Sequence, residues 1–186
     1  NMIDGLNGLC ASLCLVCFVA IIYIVNANTV PSLLTLILPV GAITGFLMYN
    51  LGVLGNQRTV FLGDNGSNAL GFMCAWILVY FSSIENSNFV PVTALWLVAI
   101  PFFDAVGVMT SRAIKGIMPI KPGRDHLHHR LLDMGLSSGS IYLVLIFISA
   151  FLAATGFIFN YSLTESQYIS FLSLIHISEP TRPQAI

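Results

Sequence analysis

Five of the chain's seven lysines and arginines lie in one stretch between residues 112 and 136: Arg112, Lys115, Lys121, Arg124 and Arg130. Three of its four histidines, His126, His128 and His129, lie there too. Guanidinium forks and imidazoles together offer charge-assisted donors, a set that suits phosphate or a phosphosugar. The same cations could instead form a solvated face against anionic lipid. Zinc is a third use, but structural zinc normally takes four ligands and no Cys accompanies these histidines. Two smaller polar stretches also carry chemistry. Asn1, Asp4 and Asn7 recur at i, i+3 and i+6, close enough to share a helical face or to cap the helix that follows. In Phe61–Asn68 (FLGDNGSN), Gly63 and Gly66 permit a sharp turn and Ser67 could cap the next helix. Asp64 there either complements a helix dipole or ligates magnesium, which takes one or two carboxylates plus substrate phosphates.

Stepping outward, the chain that must position these residues is mostly apolar. Hydrophobic residues make up 56% of the 186 and charged residues 8%, and the mean hydropathy is +0.88. Ordinary soluble domains carry roughly 25% charged residues. Too little charge remains to cover a wetted surface, so the expected fold class is an all-α polytopic membrane protein. About five to six transmembrane helices are expected, with functional loops on the cytoplasmic side. Apolar runs cover Gly8–Val25, Ser32–Leu51, Ala69–Ile84, Phe89–Met109 and Ile141–Phe159, and a sixth begins near Tyr168. Pro101 and Asp104 interrupt the fourth run. Asp104, eight residues before Arg112, reads as half of an ion pair with it near the interface.

Charge sets the orientation. Arg58 and the basic stretch occupy gaps two spans apart, while the opposite side holds Glu85 and Glu165 and no cation. The positive-inside rule places the cationic gaps in the cytoplasm, and counting back two more spans puts Asn1–Asn7 there as well. All three polar stretches therefore meet at one membrane face. Within the basic stretch, Asp125–Met134 is expected to form a short helix. His126, His129 and Arg130 would share a face of it, Arg124 and His128 would pair at i+4, and Leu127 and Leu131 would face the bundle or the membrane. Gly41 and Gly45 form a G-x-x-x-G pair suited to close helix packing. Cys10, Cys14 and Cys17 fall on one helical face without further ligands and read, with Cys74, as packing residues rather than a disulfide framework. Neither nucleotide-binding glycine motif occurs, nor does H-E-x-x-H.

Three segments, NMIDGLNGL, VFLGDNGS and PIKPGRDHLHHRLLDMGLS, resemble the cytoplasmic signatures of the polyprenyl-phosphate N-acetylhexosamine-1-phosphate transferases. The H-x-H-H form of the last is most similar to the WecA-type enzymes, which use undecaprenyl phosphate and UDP-N-acetylglucosamine. The resemblance covers about residues 1–160. It implies a multi-pass enzyme of the bacterial inner membrane, working at the first membrane step of cell-surface polysaccharide synthesis. Such an enzyme transfers N-acetylglucosamine 1-phosphate to undecaprenyl phosphate and releases UMP. It implies magnesium, with manganese as a substitute, a UDP-amino sugar and membrane lipid as partners, no nucleic acid, and room for a homodimer. By position, Asp4 and Asp64 would be the catalytic carboxylates, and Asp64 and Asn1 the metal ligands. Asn1, Asn7, Arg112, Arg124, His126, His128 and His129 would bind the nucleotide-sugar.

Asn7 stands where that family usually has a second Asp, which removes a base at that position. The family's upstream paired-aspartate motif is not in the chain, so residues 1–172 read as the C-terminal part of a transferase domain, inactive by themselves. Residues 173–186 resemble an adapter-derived peptide and read as a non-native tail. Two alternatives stand beside this reading. The sugar could be N-acetylgalactosamine or a muramoyl-pentapeptide, or the chain could be an anion-binding transporter with Asp104 in a broken helix.

Overall fold

The computed structural model describes residues 4–25, 30–55, 59–83, 88–118, 123 and 125–162, with residues 30–33 by backbone only. Among these residues seven helices follow in order: α1 (Leu9–Val25), α2 (Val30–Asn50), α3 (Gly63–Ser83), α4 (Thr93–Leu97), α5 (Ala99–Ile114), α6 (Leu127–Asp133) and α7 (Ser138–Ser162). Among the described residues there is no strand. Among them one helix, Ser138–Ser162, is long and apolar enough to cross a membrane, and Leu9–Val25 and Leu34–Asn50 are shorter apolar helices.

The bundle is built around α1, which packs against α2, α3, α4 and α7. Its sequence is apolar on every side, as a helix surrounded by neighbours must be. Cys17, Phe18, Ile21 and Ile24 meet Leu36, Ile43 and Leu47 of α2 and Ile77 and Phe81 of α3 in one core. A second core joins Leu9 and Leu13 to Ile100, Ile141 and Leu145, with Leu131 and Leu132 of α6 packed against it. All four cysteines are free and buried; Cys17 and Cys74 lie 3.6 Å apart at sulfur. The outward faces remain apolar, with Phe72, Val79, Phe147 and Phe151 all more than half exposed. Such faces suit lipid rather than water.

Several expectations change. The run Phe89–Met109 is two helices broken at Val98 rather than one broken at Pro101. Proline has no N–H to give the Leu97 carbonyl and its ring crowds that carbonyl, so the break falls earlier and Pro101 sits in the first turn of α5. Helix α3 begins at Gly63, not near Ala69, so Ser67 lies inside it. Its hydroxyl donates to the Asp64 carbonyl at 3.1 Å instead of capping the terminus. Gly41 and Gly45 have nothing within 4 Å of where a Cβ would be. The close-approach glycine is Gly156 of α7, where a Cβ would lie 2.6 Å from the Trp96 Cβ. Trp96 also meets Phe159 edge-on.

The same corner is held by Asn160. Its Oδ1 accepts from the Val90 N–H at 2.9 Å and the Thr93 hydroxyl at 2.8 Å, and its Nδ2 donates to the Asn88 carbonyl at 2.6 Å. The α4 N-cap, Val92, offers no side-chain bond of its own. Replacing Gly156 by Leu should force α4 from α7 and cost on the order of 1–3 kcal/mol, read as a lowered unfolding midpoint in detergent. Unchanged stability would show that the crossing tolerates a side chain.

Candidate functional site

The site begins where α1 and α3 begin. The turn Asp4–Gly8 leads into α1 and Gly63 opens α3 with φ of +67°, a left-handed conformation glycine adopts at no steric cost. Between them the C-terminus of α2 delivers Asn50, only 4% exposed. Asn50 donates to the Val60 carbonyl at 2.6 Å, which fixes the strand of chain entering Phe61–Asp64. Its Oδ1 is buried and has no partner among the described residues. Asp4, Asn7, Asn50, Phe61 and Asp64 line one cleft of about 270 Å³. A second cleft of about 510 Å³ shares Gly5, Leu6, Asn7 and Asn50 and extends towards Tyr142.

Burial raises the Asp4 carboxyl above the ordinary aspartate range, and the nearby Asp64 charge adds to the rise. Two carboxylates and an amide carbonyl on one cleft are hard oxygen donors, the set magnesium takes together with substrate phosphates. Among the described residues no three His, Cys, Asp or Glu side chains gather into a metal-binding group, so the histidine cluster does not form a zinc site there.

The histidine loop closes over the first turn. A Cβ on Gly5 would overlap the His128 imidazole, so only glycine fits between that ring and the cleft. His128 is 1% exposed and neither ring nitrogen has a partner among the described residues. Burial first, and His129 beside it, push its pKa down to about 4. An imidazole held neutral offers one N–H donor and one acceptor, not the charge-assisted donors expected of it. The His129 ring lies 4.2 Å from it, centroid to centroid, with a buried Nδ1 that also lacks a partner among the described residues.

Asp104 does not pair with Arg112 in the way its spacing suggested. Its Oδ2 accepts from His126 Nδ1 at 2.8 Å and its Oδ1 from the Leu127 N–H at 2.7 Å. Arg112 Nε instead donates to Asp125 Oδ2 at 2.9 Å, and this bond holds the Asp125 carboxyl below the usual range. The reason is geometric: Asp104 and Arg112 lie about 12 Å apart along α5 at 1.5 Å per residue, and residues 125–127 lie alongside both. Gly123 allows the approach, since a Cβ there would overlap the Arg112 guanidinium. The loop helix is shorter than expected. His126 precedes it in extended conformation, and Leu131 rather than the 38%-exposed Leu127 turns to the bundle.

Asp4, Asn7 and Asp64 are thus brought to one cleft, with His128 behind Gly5, His129 beside His128, and His126 and Arg112 fixed along α5. Asn1 and Arg124 lie outside the described residues, as do Arg58, Glu85, Lys121 and Glu165. Asn50 was missed by sequence reasoning. Its only signal there was an Asn ending an apolar run ten residues before Val60.

Between pH 6.5 and 4 the unfolded chain binds a proton at His128 that the folded chain excludes. The stability it contributes is full above pH 6.5 and is lost as pH falls through 4. Replacing His128 by Gln should therefore flatten the acid side of a stability-versus-pH curve measured by thermal unfolding in detergent. An undiminished acid slope would show that His128 titrates as an exposed histidine does.

Residues 1–82 match the profile of glycosyl transferase family 4. The chain is 38% identical over 163 residues to the undecaprenyl-phosphate alpha-N-acetylglucosaminyl 1-phosphate transferase of Escherichia coli (strain K12), covering 87% of this chain and 44% of that protein. The enzyme of the same name from Yersinia pestis is 35% identical over 159 residues, 85% of this chain and 44% of its own length. That of Haemophilus influenzae is 40% identical over 116 residues, 62% and 33% respectively. The chain thus spans less than half the length of these relatives. No solved structure matches it significantly. The profile match and these identities thus make the chain similar to glycosyl transferase family 4 over residues 1–82 and to the named transferases over the greater part of its own length.

Proposed function

We propose that this chain forms the catalytic face of a multi-pass enzyme that transfers N-acetylglucosamine 1-phosphate from UDP-N-acetylglucosamine to undecaprenyl phosphate. The observation that carries the reading is the convergence of three separated polar stretches. Asp4 and Asp64 line one cleft with Asn50, and His128 closes over Gly5 at its back. The names of the relatives supply the substrates. The apolar outward faces support a bilayer setting, in which α1, α2, α3, the α4–α5 pair and α7 each cross the bacterial inner membrane. The cation-bearing gaps then face the cytoplasm, where the UDP-sugar is found.

In this reaction an oxygen of the lipid phosphate bonds to the phosphorus that bears the sugar. The bond from that phosphorus to the bridging oxygen breaks, and UMP leaves with that oxygen. Such a transfer needs positioning and charge stabilisation more than covalent help. Asp64 and Asp4 are the carboxylates that would hold magnesium, with Asn1 as a further expected ligand; the bound ion supplies charge neutralisation on the diphosphate. Asn50 Oδ1 and Asn7 offer polar contacts inside the cleft, and the exposed Phe61 ring offers a planar face at its edge. The similarity to named transferases over most of the chain favours this reading over the anion transporter.

The test uses the chain completed to its relatives' full length, in detergent with undecaprenyl phosphate. UMP release should depend on magnesium and should occur with UDP-N-acetylglucosamine, not with the galactose epimer or the muramoyl-pentapeptide donor. Replacing Asp64 by Asn should lower the rate by about a hundredfold or more. Magnesium alone should raise the unfolding temperature of the parent near neutral pH by relieving the Asp4–Asp64 repulsion, and should fail to do so in Asp64→Asn. Folded protein that releases no UMP from any donor would overturn the reading, and a magnesium shift that survives Asp64→Asn would remove Asp64 from the metal site.

A further inference from the structure

We infer that Asp104 is a positioning residue for this transfer: from within α5 it holds the ring of His126 in one tautomer and orientation and sets the first turn of α6. The inference rests on the transferase reading above. It goes beyond that reading by giving a role to a carboxylate that none of the three polar stretches contains.

The geometry is specific. The Asp104 side chain is 5% exposed and that of His126 8%. A carboxylate so buried needs donors on both oxygens, and it has them. The Leu127 N–H lies 2.7 Å from Oδ1, and His126 Nδ1 lies 2.8 Å from Oδ2. Because an aspartate carboxylate only accepts, the ring proton resides on Nδ1 and the Nε2 position is left for another partner. The loop cannot do this for itself. His126 is the N-cap of α6 and makes no side-chain cap bond, so the first-turn donor at Leu127 is satisfied by Asp104 alone among the described side chains. Two turns further along α5, Arg112 grips Asp125, so one face of α5 fixes residues 125–127 by an acceptor at one end and a donor at the other. The His126 and His128 rings lie nearly parallel, 6.2 Å apart, so the orientation of the first bears on the packing of the second against Gly5. Outer groups that orient a working imidazole typically change activity by about 10–100-fold when altered.

Asp104→Asn separates the two tasks. The amide oxygen can still accept from Leu127, keeping α6, while its NH₂ meets Nδ1 and forces the ring proton onto Nε2. The measurement is made on the full-length enzyme with ¹⁵N-labelled histidine, in the alkaline range where an ordinary imidazole is neutral. His126 in the parent should carry its proton on Nδ1, and Asp104→Asn should move it to Nε2. The variant should lose about 10–100-fold in the rate of UMP release. In a His126→Ala background, Asp104→Asn should cost nothing further, because the two act as one unit. A parent ring protonated on Nε2 overturns the inference without any variant. So does a tautomer change with no loss of rate, or a loss that adds fully to that of His126→Ala, which would mark Asp104 as a fold residue only. If the parent enzyme releases no UMP, the transferase reading falls and the kinetic role falls with it, while the ring nitrogens still report whether Asp104 sets the tautomer.

Discussion

An aspartate buried among apolar helices is tolerable only if both of its oxygens are filled. For Asp104 the nearest available donors are not on its own helix but on the loop that follows it. Satisfying that carboxylate brings residues 125–127 alongside α5. Once residues 125–127 lie there, Arg112 has Asp125 within reach and Leu131 and Leu132 meet the second core. His128 then arrives under the turn that precedes α1. One unfavourable burial thus dictates where the most polar segment of the chain must rest.

Asn160 ties a second short helix to a long one elsewhere in the bundle. Helices α4 and α6 both start at residues, Val92 and His126, that contribute no capping bond. For α6 a carboxylate on a neighbouring long helix supplies the acceptor, Asp104 to the Leu127 N–H. The first-turn N–H groups of α4 are met by the carbonyls of Val90, Pro91 and Val92, and Asn160 instead ties Val90 and the Thr93 hydroxyl to α7. Capping across helices ties a short element to a long one. A local Ser or Asp cap would form equally well if the short helix drifted away. For a loop that has to present imidazoles at a fixed place, the tertiary cap is the more constraining choice.

These cross-helix bonds are also what sequence reading could not reach. Apolar runs located α1, α2 and α7 to within a few residues, because lipid-length hydrophobic stretches leave little ambiguity. Counting spans placed Asp4, Asp64 and the histidines on one face, and the close fit of Gly5 to His128 agrees with that. Spacing failed where the partner is not a neighbour along the chain. Asp104 and Arg112 look like an ion pair on a helical repeat, yet both turn to a loop more than a dozen residues away. Asn50 looked like the end of a span, and its importance comes from Val60 and from the cleft. Pro101 was read as a break in place, although its effect falls on the carbonyl four residues earlier.

Buried polar atoms without partners show where a fold is incomplete by itself. Each such atom costs about 1–3 kcal/mol, and native proteins keep few of them. Among the described residues there are five: Asn50 Oδ1, both His128 nitrogens, His129 Nδ1 and Trp96 Nε1. Three of the five, Asn50 Oδ1 and both His128 nitrogens, belong to side chains that meet the Asp4–Gly8 turn. If they reflected loose packing, they would be scattered along the helices, as Trp96 is. Of these side chains only Asn50 lines the cleft with Asp4 and Asp64, while His128 lies buried against Gly5. A polar ligand bound in that cleft, as the proposed function requires, has the unfilled acceptor of Asn50 to meet.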